Sequence, residues 1–208
     1  MNIDINAFRA ASPASAKEQT DLTASPAYRA FLNELLGSAQ TVLLDTKTIM
    51  KGTPFVRLFS SCLPLLRQYN LKFSCPFAVF NEISAQLYDT DAAAAGKAAA
   101  AIRNLKVLED GGYMEYIGSP NDMGSGQSAV MKQVLSRVWN ENVVVFTQSA
   151  RLAADCETLS NFTSIHLPHT VKVKRIADAF GRLESFERMD VYRARIADAQ
   201  AVLRQFGL

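Results

Sequence analysis

Apolar residues along this chain follow two alternating rhythms. Short, almost continuous apolar runs mark buried strands, and between them apolar residues recur every three or four positions, as on one face of a helix. The clearest strand is Val143-Val144-Val145-Phe146-Thr147, with Thr41-Val42-Leu43-Leu44-Asp45 next. Leu71 to Pro76 and Tyr113 to Ile117 are shorter candidates, and Thr163 to Leu167 is a fifth. The spacing predicts helices over Pro26 to Leu36, Pro54 to Tyr69, Phe77 to Tyr88, Ala92 to Leu108, Gln127 to Trp139 and Ala150 to Leu159. Pro64 should kink the second of these, because proline removes a helix donor. Helices alternating with apolar strands imply a mostly parallel sheet covered on both faces, an α/β fold.

Beyond Pro168 the rhythm changes. Val171 to Phe186 and Met189 to Phe206 read as two helices, richer in Lys and Arg than in Asp and Glu. The organisation expected is a loose polar arm over residues 1–25, a main domain over 26–168 and a C-terminal helical extension over 169–208. An apolar stripe on a helix usually means packing against a core, so the extension reads first as a cap on the sheet. A homodimer formed through these helices and a nucleic-acid grip are the alternatives.

Composition narrows the class without naming it. The 208 residues are 49% hydrophobic and 20% charged, with a formal net charge of +2. That mild basicity permits a polyanionic partner without requiring one. No apolar stretch approaches the roughly 18 to 20 residues of a membrane span, and the N-terminus lacks the pattern of a secretory signal. A cytoplasmic protein with no membrane partner is expected. Cys62, Cys75 and Cys156 are odd in number and form no C-x-x-C pair, which argues against a disulfide framework or a zinc site. His166 and His169 lack a third ligand in the sequence and read as surface or packing residues.

The chemistry concentrates at strand ends. In open α/β sheets, ligands bind just outside the carboxyl ends of the strands. Asp45 ends the first strand, Glu82 lies in the helix after the second, Asp122 in the loop after the third, and Ser149 just past the fourth. In a parallel sheet these tips meet on one edge. No G-x-G-x-x-G follows the first strand, so a Rossmann-type nucleotide enzyme is disfavoured. Gly124-Ser125-Gly126 is a short turn and helix cap before it is a phosphate cradle.

With those residues placed, the chain resembles PIN-like nuclease domains over about Thr41 to His166. Leu43-Leu44-Asp45-Thr46 is similar to the family's "L-D-T-N" opening strand. Phe77 to Ile83 resembles "v-v-l-x-E-L", and Val143 to Gln148 resembles "v-v-l-v-T-x-D". Gly96-Lys97-Ala98 with Ile102, Leu105 and Leu108 resembles the helix before the third strand. The resemblance implies a three-layer α/β/α sandwich with a central parallel sheet, and divalent-metal-dependent cleavage of RNA by an acidic cluster holding Mg²⁺ or Mn²⁺. Carried over by position, Asp45 and Glu82 match. The family's Asp after "T-x" is Ser149 here, its Asn after "L-D-T" is Lys47, and the acid expected at the start of the next helix falls near Gln127 and Ser128. Asp122 is the nearest replacement, and Asp155 lies too far into its helix to replace Ser149.

Two readings follow. In an active site Asp45 would be a direct ligand, Glu82 would hold a metal-bound water and Asp122 would direct the attacking water. In a degenerate one, the same fold binds nucleic acid or a protein partner, such as an inhibitor, without cutting. Lys47 favours the second, since a cation beside the site opposes ion binding by roughly 1 to 4 kcal/mol at short range. Lys47, Ser149, Lys172, Lys174 and Arg175 are the expected contacts to an RNA backbone.

Overall fold

The computed structural model describes residues 22–160 and 167–205. The apolar runs form the middle of one six-stranded sheet. Its strands are β1 (Thr41–Leu44), β2 (Phe73–Pro76), β3 (Met114–Ile117), β4 (Val143–Phe146), β5 (Val171–Ile176) and β6 (Leu183–Glu184). They lie in the order β3-β2-β1-β4-β5-β6, parallel throughout except for the antiparallel β5–β6 pair. Every residue of β1, β2 and β4 is buried. That is why these strands read as unbroken apolar runs rather than alternating ones.

Eight α-helices are present among the described residues: α1 (Pro26–Gly37), α2 (Thr46–Ile49), α3 (Thr53–Gln68), α4 (Phe77–Ala85), α5 (Ala92–Asp110), α6 (Gly126–Arg137), α7 (Ala150–Ser160) and α8 (Arg188–Gln205). Helix α1 starts where Ser25 accepts the Tyr28 amide at 3.2 Å, with Pro26 at its first position, a pairing that suits a helix N-terminus. Helix α3 buries Phe55, Leu58, Phe59, Cys62, Leu63 and Leu66. It runs on through Pro64, which faces solvent, where water can meet the carbonyl that proline leaves without a donor. Across the sheet, Phe73 sits edge-on to Phe146 at 5.9 Å and to Phe59 at 6.1 Å. Each fully buried ring of this kind contributes about 1.5 to 3 kcal/mol.

The segment after Pro168 differs from expectation. Val171 to Ile176 is a strand, not the start of a helix, and pairs with β4 from Val143↔Val171 to Phe146↔Lys174. The run Val-Lys-Val-Lys-Arg-Ile alternates with period two, the strand rhythm; the helix reading was drawn to its charges. Only Arg188 to Gln205 is helical, so a division at residue 168 would cut through the sheet. Of the strand expected over Thr163 to Leu167, residues 163–166 lie outside those described, as does His166, and Leu167 is in no strand.

The alternation along β5 also shows that both faces of the sheet are covered. Lys172 reaches Ser38 next to α1 at 3.1 Å, and Lys174 lies over the ring of Phe31 in α1. Arg175, pointing the other way, meets Asp190 of α8 at 3.0 Å. The layers are therefore helix, sheet, helix. Among the described residues no helix is long and apolar enough to cross a membrane.

The terminal hairpin is fastened to the first helix by one buried bond. The Leu183 amide donates to the Tyr28 hydroxyl at 2.8 Å. Replacing Tyr28 with Phe removes the acceptor and leaves the amide unpaired, at a cost of about 1 to 3 kcal/mol. Urea unfolding of Tyr28→Phe should show that loss; an unchanged midpoint would mean the bond contributes nothing.

Candidate functional site

Strand order reverses between β1 and β4. From β1 the chain steps outward to β2 and β3, then returns to β4 on the other side. The crevice outside the strand tips at such a point is where open sheets bind ligands. Asp45 follows β1 here and Thr147 follows β4.

Asp45 is 1% exposed. Its Oδ1 accepts the Thr48 amide at 2.7 Å and so caps α2. Its Oδ2 accepts the Thr147 hydroxyl. Thr48 in turn donates its hydroxyl to the Phe146 carbonyl at 2.9 Å. Burial pushes the Asp45 carboxyl above the usual aspartate range, against the opposing pull of the Thr147 hydroxyl and the Thr48 and Gln148 amides. Desolvation is the larger effect.

Glu82, on α4, is exposed. Its Oε2 accepts the Thr46 hydroxyl at 3.0 Å and the Gly126 amide at 2.8 Å. Gly126 opens α6, and a Cβ built there would lie 2.5 Å from both Glu82 Oε2 and Thr46 Oγ1. A side chain at position 126 would thus enter the site, and glycine is what lets the Glu82 carboxylate dock on the backbone.

The two acids stand at one edge, joined through Thr46, and the connection continues around a ring. Thr147 accepts the Ser149 amide at 2.9 Å. The Ser149 hydroxyl donates to Gln127 Oε1 at 3.1 Å and accepts the Leu152 amide at 3.2 Å. Gln127 adjoins Gly126, which returns the path to Glu82. Ser149 therefore caps α7 and braces it against α6.

Asp122 does not join this ring. Its Oδ1 accepts the Gly124 amide at 3.0 Å within its own turn, and its carbonyl accepts the side chain of Asn81 at 3.1 Å. Among the described residues, no group of three or more His, Cys, Asp or Glu is placed to hold a metal. Lys47 is exposed beside Thr46. Lys174 donates to Ser185 at 2.7 Å, and Arg175 is held by Glu184 at 2.8 Å and by Asp190. Lys172 and Lys174 sit on the opposite face of β5 from Arg175, so the three do not form one patch.

One polar atom at this edge is unsatisfied: Gln148 Nε2, between Thr147 and Ser149, is buried without a hydrogen-bond partner. It is a donor sealed within the edge, a hydrogen bond left unmade inside the protein and not a surface open to a ligand. Mg²⁺ and Mn²⁺ need oxygen ligands with open lone pairs. Each Asp45 oxygen accepts a hydrogen bond and the residue is 1% exposed; of the two acids, Glu82 keeps one oxygen, Oε1, that accepts none among the described residues. Asp45 and Glu82, with no third acid beside them among the described residues, make a sparse donor set for a resident ion.

Thr46, Gly126, Gln127, Thr147 and Gln148 were not singled out by the sequence as site residues. Their side-chain types carry no chemical signature, although Gln127 falls where the resemblance expects an acid, Thr46, Thr147 and Gln148 lie in its motifs, and Gly126 opens a helix after a serine cap. No protein-family model matches the chain, and neither does any curated protein.

The raised Asp45 carboxyl sets a sign for stability. The folded state holds this proton more tightly than the unfolded chain. Asp45 therefore favours folding fully below the ordinary aspartate range near 4, and that contribution is lost as pH rises through the folded value. Asparagine caps a helix about as well as aspartate but carries no buried charge. Asp45→Asn should thus gain on the native protein as pH rises from about 4 toward 7, by up to about 1.4 kcal/mol per pH unit. Urea unfolding across that range measures the difference; a native protein that gains on the variant with rising pH would contradict it.

Proposed function

We propose that this protein is a PIN-like module that binds single-stranded RNA through its phosphates at the carboxyl edge of the sheet and does not cut it. The observation that carries the reading is the state of the edge. Asp45 is buried and bonded to Thr48 and Thr147, and one Glu82 oxygen is held by Thr46 and the Gly126 amide, so the edge offers a metal a single unbonded carboxylate oxygen. Lys47, exposed beside them, supplies positive charge. Burial raises the Asp45 carboxyl and so lowers the negative charge it presents to a polyanion at a given pH.

A metal-dependent ribonuclease is the second reading. What favours it is that Glu82, 37 positions from Asp45 in the chain, is bonded to the hydroxyl of Thr46, the residue next to Asp45.

RNA binding and cleavage, measured together, separate the two. The protein should retain a single-stranded RNA in EDTA, with affinity falling as salt rises, and Lys47→Ala should reduce the salt slope by about 1. With Mg²⁺ or Mn²⁺ added, it should cleave no faster than Asp45→Asn. Metal-dependent cleavage lost in Asp45→Asn would overturn the first reading in favour of the second. No salt-sensitive binding at all would overturn both and point to a protein partner.

A further inference from the structure

A groove of about 470 Å³ opens between α6 and α7, beside the ring that carries Asp45 and Glu82. Gln127, which ties α6 to Ser149, is part of its wall, so the groove begins where the polar edge ends. Its volume lies in the range of small-ligand sites, roughly 300 to 1,000 Å³. Its lining is divided. Met131 and Leu135 supply an apolar surface above the buried Leu152, and Lys132 and Arg151 supply a cation from each wall. Leu135 is 46% exposed, a large apolar side chain left uncovered beside two positive charges.

We propose that this groove holds one nucleotide of the bound RNA, with its phosphate between Lys132 and Arg151 and its base against Met131 and Leu135. The inference rests on the RNA-binding reading above and adds the place and the side chains. A nucleotide is the ligand class that joins a flat apolar body to a fixed negative charge, and the groove offers both surfaces together. Aliphatic contact with a base carries no hydrogen-bond readout of its identity, whereas phosphate contacts set the salt dependence. Arg151 is available for the task. Its pair with Asp198 at 3.3 Å is on the surface, with 66% of the arginine side chain exposed, and such pairs hold weakly. Asp155, one turn beyond Arg151, is the carboxylate in the lining and can accept a base N–H.

The test uses the full chain and a short single-stranded RNA in EDTA, between about 50 and 200 mM salt. Lys132→Ala and Arg151→Ala should each weaken binding about three- to tenfold at the lower salt and reduce the salt slope by about 1. Lys106→Ala, an exposed cation on α5 outside the groove, should change the affinity less than twofold. Leu135→Ser should weaken binding of the RNA several-fold and leave binding of an abasic oligonucleotide of equal length unchanged, a split that a general loss of structure would not produce. Circular dichroism and thermal melts confirm that each variant is folded. If the native protein binds RNA but the three groove variants bind as it does, the groove assignment is overturned and the RNA-binding reading stands. If the native protein binds no RNA, both are overturned.

Discussion

Asp45 ties together the turns that leave β1 and β4, two strands already paired from Thr41↔Val143 to Leu44↔Phe146, at the point where strand order reverses. The connections from β1 and β4 leave toward opposite edges of the sheet, so no single helix covers both tips. One carboxylate spans the gap, accepting the Thr48 amide on one oxygen and the Thr147 hydroxyl on the other. Burying a carboxylate is expensive unless its oxygens are hydrogen-bonded. Here the sequence supplies the donors close by: Thr48 from α2 and Thr147 from the end of β4. The remaining desolvation shows as a raised carboxyl.

The same arrangement decides what the edge can do. Glu82 is drawn onto the Gly126 amide and the Thr46 hydroxyl, and position 126, from which a side chain would enter the site, carries none. Asp122 spends its carboxylate on its own turn. An edge with one acid buried among neutral donors, the other half engaged, and an exposed lysine next in sequence to Thr46 is what the proposed RNA-binding reading draws on. The groove between α6 and α7 extends that chemistry away from the edge, adding apolar surface to positive charge.

Much of the fold was legible because its central strands are buried on both faces and so announce themselves as apolar runs. Val143 to Phe146 and Thr41 to Leu44 are the strands expected, and helices α1 and α3 to α7 fall within a few residues of their predicted spans. Strand β5, between β4 and the short β6, is hidden because its alternating lysines resemble a solvated helix when only charge is weighed. Helix α2 was missed because four residues are too few to show a helical period. At the site, Asp45 and Glu82 were found from their positions after strands, a rule that depends on topology alone. The Thr46 and Gly126 contacts were not, because they join residues 36 and 44 positions apart in the chain, and no local pattern records a distance of that kind.

The most direct test follows the Asp45 carboxyl carbon by NMR across pH, without and with Mg²⁺. A buried, internally bonded carboxylate that does not take a resident ion should titrate above the ordinary aspartate range and keep its titration when Mg²⁺ is added. A titration below that range, or one that Mg²⁺ displaces downward, would contradict the account and return Asp45 to the role of a metal ligand.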